Sequence, residues 1–136
     1  MRNRSIYLTE PDAERLSLLQ NYVQGPAAGR NLAALERKVA EAQWLDPSEI
    51  PPDVVTMNSR VRLVDPDTGE VSEYTVVFPA RVDSGRNRIS VLGPLGTALI
   101  GAKRGEVIEY TTFAGRQKRR VEAIIYQPEA VGEYFA

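Results

Sequence analysis

The sequence contains no cysteine and no histidine. Their absence excludes disulfide bonds, thiolate nucleophiles, zinc sites built from these residues and catalytic triads with an imidazole base. The sequence also lacks a P-loop and a GxGxxG dinucleotide-binding motif. General acid–base catalysis would therefore depend on carboxylates, lysine or tyrosine, and a bound metal would need oxygen ligands. Most common types of catalytic site are excluded.

Long apolar runs and an excess of charge of one sign are also missing. No stretch approaches the length of a membrane span, and the apolar run at residues 6–8 is too short for a signal peptide. The 136 residues carry a net charge of −1, so no general affinity for nucleic acid or anionic membranes is expected. With 43% apolar and 26% charged residues, the composition is typical of a soluble globular protein, which we expect to be cytoplasmic.

The first 46 residues predict two helices joined by a turn. Thr9 is a good N-cap, and apolar residues then recur every three or four positions up to Val23. A second apolar seam begins after Asn31, and the turn between the seams contains Gln24, Gly25, Pro26 and Arg30. We predict a short antiparallel helical hairpin, a coiled coil with about 13–15 residues in each helix and its tip at this turn. The alternative is that both helices lie on the protein's own core.

A proline-rich segment follows at residues 47–52, and it excludes both helix and strand ladder. We therefore predict three parts: a hairpin over residues 1–46, a linker over 47–52, and a C-terminal domain over 53–136. In the C-terminal part, apolar residues begin to recur at every second position, which is typical of strands. We predict strand residues at Val55, Met57, Val61 and Leu63, with a break at residues 58–59. Residues 65–69, DPDTG, predict a hairpin turn before a strand over residues 70–77.

Residues 88–110 predict a strand, a short helix, a turn and another strand. Gly93 ends the first strand, and Pro94 suits the first turn of a helix because its φ is already set and it has no N–H to lose. The helix carries an apolar stripe at Leu95, Ala98, Leu99 and Ala102. A second hairpin turn is predicted at residues 114–115. The fold class is α+β, with an antiparallel sheet and one short helix on it.

These residues resemble a known family. Residues 89–101, ISVLGPLGTALIG, followed by Gly105 and Glu106, are similar to the C-terminal signature of the bacterial Gre transcript-cleavage factors. Residues 52–61 and 126–134 resemble the branch of that family associated with regulation of nucleoside diphosphate kinase. The resemblance covers nearly the whole chain.

The resemblance implies an FKBP-like C-terminal domain that docks on RNA polymerase near the secondary channel, with the hairpin pointing into the channel. By the same resemblance, the partner-binding residues are Asn58, Ser59, Gly93, Pro94, Leu95 and Thr97. In the cleavage factors, acidic residues at the tip of a longer hairpin reach the polymerase's Mg²⁺. Residues 22–31 here contain no Asp or Glu, so we expect no catalytic residue, metal or cofactor.

The predicted function is therefore that of a non-catalytic transcription regulator, a monomer that competes with Gre cleavage factors for RNA polymerase. Contact with nucleic acid is expected only weakly and only within the polymerase complex, and a membrane is not an expected partner. The alternative function is peptide binding or prolyl isomerisation, since FKBP-like domains host both.

Overall fold

The computed structural model describes residues 6–19 and 29–133. These residues form a mixed α+β fold, as predicted. Its helices and strands are, in chain order, β1 (Tyr7–Thr9), α1 (Glu10–Ser17), α2 (Gly29–Glu41), β2 (Gln43–Leu45), β3 (Arg60–Val64), β4 (Val71–Val77), β5 (Arg88–Ser90), α3 (Pro94–Leu99), β6 (Val107–Thr112) and β7 (Gly115–Tyr126). Short 3-10 turns lie at Pro47–Glu49, Pro79–Arg81, Ser84–Arg86 and Glu129–Val131.

The main sheet has five strands in the order β5-β4-β3-β7-β6. All neighbouring strands are antiparallel except β4 and β5, which run parallel. The prediction of an antiparallel sheet is therefore wrong at this one edge. The physical reason lies in the connection between the two strands, where two 3-10 turns carry the chain back along β4, so that β5 begins opposite Thr75 and runs in the same direction as β4.

The two predicted hairpin turns are confirmed. Between β3 and β4, the Asp65 carboxylate accepts hydrogen bonds from the amides of Asp67 (2.8 Å) and Thr68 (3.3 Å), and Gly69 adopts a φ of +77°. Gly115 adopts a φ of +111° at the turn between β6 and β7. Both glycines occupy a backbone region that L-residues avoid, which explains why these turns were visible in the sequence.

The predicted strand through Val55 and Met57 is wrong, because β3 begins only at Arg60. Both side chains are buried, but their backbone groups bond outside the sheet. Val55 exchanges hydrogen bonds with the segment after α3, donating to Ala102 and accepting from Gly101, each at 2.8 Å. The alternating apolar pattern therefore reflects burial in an irregular segment, which periodicity does not distinguish from a strand.

Of the two N-terminal helices, α1 differs from the prediction in length. α1 ends at Ser17, well before the predicted end near residue 24, and the Leu18 amide closes its last turn on the Arg15 carbonyl at 3.2 Å. α2 has 13 residues and agrees with the prediction. Of the predicted tip, Gln24, Gly25 and Pro26 lie outside the described residues, and Arg30 lies in the first turn of α2.

A small parallel pair, β1 with β2, connects the start of α1 to the end of α2. Trp44 in β2 donates its indole N–H to the Val39 carbonyl at 3.0 Å, so the end of α2 and β2 are held together. Leu8 of β1 is fully buried. Most of the apolar run at residues 6–8 thus belongs to a strand.

A single hydrophobic cluster joins the helices to the sheet. It includes Leu16 of α1, Leu35 and Val39 of α2, Leu63 of β3 and Leu99 of α3. The described portions of α1 and α2 therefore pack on the core of the sheet. The division of the chain at residues 46 and 52 stays a prediction.

The described segment after β7 contacts the rest of the molecule through Gln127 and Glu133. Gln127 is buried, and its side-chain amide donates to the carbonyls of Pro51 and Val54, each at 2.8 Å. Tyr126 donates its hydroxyl to the Glu133 carboxylate at 2.6 Å. Among the helices that the structure describes, none is long and apolar enough to cross a membrane.

Candidate functional site

The N-terminal end of α3 lies at the protein surface. Gly93 is its N-cap with an extended φ of −79°, Pro94 occupies the first helical position, and Gly93, Pro94 and Leu95 are all half-buried. The Thr97 amide donates to the Gly93 carbonyl at 2.9 Å and closes the first turn. The helix begins at Pro94, as predicted, because proline suits the first position of a helix. Residues 93–95 form the accessible part of the predicted docking region.

Two other predicted binding residues point into the protein. Thr97 is 7% exposed and donates its hydroxyl to the Val91 carbonyl at 2.7 Å. Ser59 is fully buried, and its hydroxyl oxygen accepts from the Thr56 amide at 3.0 Å. Thr97 thus ties α3 to the chain before it, and Ser59 closes the turn that precedes β3. Their role in partner binding stays a prediction.

Gly96 is essential to the position of α3, and the sequence reasoning missed it. A Cβ atom added at Gly96 would lie 2.0 Å from the Ser90 carbonyl oxygen and 2.8 Å from the Val91 Cα. The helix therefore lies against the backbone of the preceding strand at a distance that only glycine permits. A glycine inside an otherwise helical pattern was the available signal.

Lys38 of α2 connects the N-terminal helices to the other end of α3. Its ammonium donates to the carbonyls of Thr97 (2.8 Å), Ala98 (3.2 Å) and Ile100 (2.8 Å). Carbonyls at the C-terminal end of a helix lack partners within the helix and carry partial negative charge, so a lysine suits this place. Burial lowers the pKa of Lys38 to about 8, and the nearby Glu106 opposes this shift. Nothing in the sequence pattern indicated this contact.

Asp12 of α1 makes a second connection, to the segment before β3. Its carboxylate accepts from the Met57 amide at 3.1 Å, while its own amide donates to the hydroxyl of the N-cap Thr9 at 3.2 Å. The side chain is 7% exposed, and burial raises the pKa of Asp12 to about 6 despite the hydrogen bond from Met57, which lowers it. Asp12 thus holds the Met57 amide next to Asn58.

Asn58 lies elsewhere, on an open cleft of about 740 Å³ at one end of the main sheet. It adopts a φ of +68°, and its amide donates to the Val76 carbonyl at 2.7 Å. No residue of α3 lines this cleft. The predicted binding residues therefore occupy two places, the α3 end with residues 93–95 and the cleft with Asn58.

No group of three or more acidic side chains in residues 6–19 and 29–133 is arranged to hold a metal ion. The described surface offers a half-buried helix end and an open cleft. These are features suited to binding.

The comparison with known proteins identifies the class to which this fold belongs. A family model described as "Transcription elongation factor, GreA/GreB, C-term" matches residues 50–126, more than half of the chain. The chain belongs to the GreA/GreB family, and the resemblance inferred from the sequence is confirmed.

Individual members of the family show which proteins this chain is similar to. The chain is 39% identical to the regulator of nucleoside diphosphate kinase of Escherichia coli K12 over 137 aligned positions, which cover 98% of both proteins. It is 40% identical over 84 residues to transcription elongation factor GreA of Clostridium botulinum, covering 62% of this chain and 52% of that protein. It therefore spans about half of that GreA. A solved GreA/GreB structure from Nitrosomonas europaea superposes with a TM-score of 0.77 at 37% identity, covering 91% of this chain and all of that one.

Proposed function

We propose that this protein is a non-catalytic transcription regulator that binds RNA polymerase near its secondary channel through the half-buried N-terminal end of α3. The observation that supports this most directly is the construction of that end. Residues 93–95 lie at the surface, while Gly96 rests on the Ser90 backbone and Thr97 bonds to Val91 beneath them. A surface turn fixed from below loses little conformational freedom on binding, which favours its use in recognition.

The absence of carboxylates at the hairpin tip supports the non-catalytic part of the proposal. Stimulated RNA cleavage needs acidic side chains that help to hold a second Mg²⁺ and activate water. Residues 22–31 contain neither Asp nor Glu, and the nearest carboxylates in the sequence are Glu14 and Glu36, eight positions before and five positions after this segment. A protein of this kind would occupy the docking surface without stimulating cleavage.

The finer parts of the proposal follow from the family relationship. Residues 53–136 form an FKBP-like docking domain, and residues 1–46 form a coiled-coil hairpin whose tip, at Gln24, Gly25, Pro26 and Arg30, points toward the channel. The protein acts in the cytoplasm as a monomer, and it meets nucleic acid only within the polymerase complex. Regulation of nucleoside diphosphate kinase, which the name of the Escherichia coli relative states, is carried over to this chain as part of the proposal.

Prolyl isomerisation is not part of the proposal. Such an activity needs a concave apolar pocket, usually lined by aromatic residues. The 740 Å³ cleft in this structure is lined by four arginines, with Tyr74 and Tyr126 as its aromatic residues.

The docking site is tested by Pro94→Arg in a pull-down with core RNA polymerase. We expect this substitution to weaken binding at least tenfold, because a long cation would stand where the partner meets the helix end, while thermal unfolding shifts little. Pro66→Arg is the matched control, since Pro66 is exposed in the β3–β4 turn, away from α3. Binding that survives Pro94→Arg, or that falls equally with Pro66→Arg, would show that docking does not use this end of α3.

The competition is tested with paused elongation complexes. The protein alone should release no short RNA 3′ fragments. Added with a Gre cleavage factor, it should suppress that factor's cleavage, and excess factor should restore cleavage, because two proteins that share one site compete by mass action. Cleavage by this protein alone would refute the non-catalytic assignment. Suppression that excess factor does not relieve would refute a shared site.

A further inference from the structure

The cleft at the end of the main sheet has a strongly cationic lining. The residues that line it come from strands β3, β4 and β5, from the turns at Pro79–Arg81 and Ser84–Arg86, and from the end of β7. Four of the lining residues are arginines and only one is acidic; they are Asn58, Arg60, Glu73, Tyr74, Thr75, Val77, Arg81, Arg86, Asn87, Arg88, Ile125 and Tyr126. In a chain whose overall net charge is −1, this is a local concentration of positive charge.

Carboxylates neutralise only part of this charge, since Arg60 pairs with Glu73 and Arg86 pairs with Asp83 at 3.7 Å. Glu73 already bonds two arginines, Arg60 at 2.8 Å and Arg62 at 3.2 Å, and these contacts lower the pKa of its carboxyl, the hydrogen bond from Arg62 having the largest effect. Within the described residues, no carboxylate lies within ion-pair distance of Arg81 or Arg88. These two guanidinium groups keep their donors available for an anion.

The backbone around the cleft is held in an unusual conformation. Asn58 and Asn87 are the two non-glycine residues with a positive φ in the described part of the chain, +68° and +54°, and both line the cleft. Asn87 is held by its side-chain amide, which donates to the Glu73 carbonyl at 3.0 Å, and by its own carbonyl, which accepts from the Thr75 amide at 2.9 Å. Strained backbone of this kind concentrates at functional sites, where the surrounding structure maintains it.

We propose that this cleft binds the oligophosphate group of a small phosphorylated ligand. Arginine presents a planar fork of donors that matches phosphate oxygens, and several arginines converging on one concave space suit several linked phosphates. A volume of about 740 Å³ lies within the range of about 300–1,000 Å³ that is usual for small-molecule sites. A long nucleic acid would instead need a basic stripe along a face, because its phosphates are spread along the strand.

Two sources of oligophosphate fit this chemistry: inorganic oligophosphate and a nucleoside di- or triphosphate. Tyr74 and Tyr126 are among the residues that line the cleft, and aromatic side chains are suited to stacking on a base. The inference goes beyond the proposed regulation of transcription and does not depend on it, since it is tested on the isolated protein.

The test is a calorimetric titration of the full chain with inorganic tripolyphosphate, ATP and unphosphorylated adenosine, at 50 and 200 mM salt. We expect tripolyphosphate and ATP to bind, adenosine not to bind, and affinity to fall as salt rises. Tighter binding of ATP than of tripolyphosphate would identify a nucleotide, and equal binding would identify the phosphate chain alone as the feature recognised.

The variant Arg81→Gln/Arg88→Gln should lower the affinity at least tenfold. Arg116→Gln is the matched control, because Arg116 is exposed on the β6–β7 hairpin outside the cleft, and it should change the affinity less than twofold. Circular dichroism at the same temperature establishes that the variants are folded.

Several results would overturn the proposal. One is no binding of tripolyphosphate or ATP at millimolar concentration, and another is an equal loss of affinity with the control variant. Binding of a glutamate-rich peptide or a single-stranded RNA that tripolyphosphate does not displace would assign the cleft to a macromolecule instead.

Discussion

Replacement of Gly96 by alanine should destabilise the protein, although alanine is the better helix former. In an exposed helix the substitution would contribute about 1 kcal/mol of stability. Here the new Cβ would lie 2.0 Å from the Ser90 carbonyl oxygen, more than an ångström short of ordinary contact. Because the neighbouring atoms belong to the backbone, α3 must move away from β5, and the Thr97 hydrogen bond to Val91 lengthens with it.

The magnitude follows from these opposing effects. Overpacking against a fixed neighbour costs about 1–3 kcal/mol or more, and loss of a buried hydrogen bond costs about 1–3 kcal/mol. After subtraction of the helix-forming gain of about 1 kcal/mol, the free energy of unfolding should fall by about 1–5 kcal/mol, with a central value of about 3 kcal/mol. For a chain of this size the midpoint of thermal unfolding should fall by about 10 °C.

Urea denaturation followed by circular dichroism, and by the fluorescence of the single tryptophan, Trp44, measures this change. Gly93→Ala is the matched control, because its Cβ would lie 3.5 Å from the same Ser90 oxygen and its φ of −79° suits any residue. It should stay within about 1 kcal/mol of the unsubstituted protein, since only the N-cap preference for glycine is lost. Equal stability of the two variants would refute the close approach of α3 to β5.

Two further predictions concern buried charges. The folded-state pKa of Asp12, about 6, is above its ordinary value of 3.8, so its contribution to stability is present below pH 4 and is lost as the pH rises to 6. Relative to Asp12→Asn, the unsubstituted protein should lose about 2 kcal/mol between pH 4 and pH 7 in urea denaturation, and parallel pH profiles would contradict this. The folded-state pKa of Lys38, about 8, is below its ordinary value of 10.5, so the unfolded chain holds the proton more tightly between these values. Relative to Lys38→Met, the unsubstituted protein should gain up to about 3 kcal/mol as the pH rises from 7 to 10, and a constant difference would show that the ammonium is not desolvated.

The sequence by itself determined the elements whose causes are local. The turns at residues 65–69 and 114–115 need glycine at a positive φ, and the start of α3 needs Pro94, so each was predictable from a few neighbouring residues. The family was also predictable, because residues 89–101 form a continuous stretch. The helix end with residues 93–95, one of the two candidate surfaces, was located on this basis.

The tertiary structure alone decided what depends on contacts between distant residues. The parallel pairing of β5 with β4 and the burial of Val55 and Met57 outside any strand depend on which backbone groups meet across the fold. Lys38 reaches carbonyls about sixty positions further along the chain. The cationic cleft combines Arg60, Arg88 and Tyr126, which no spacing in the sequence connects. Hydrogen bonds and charges act over a few ångströms in space, and only the folded chain brings these residues within that distance.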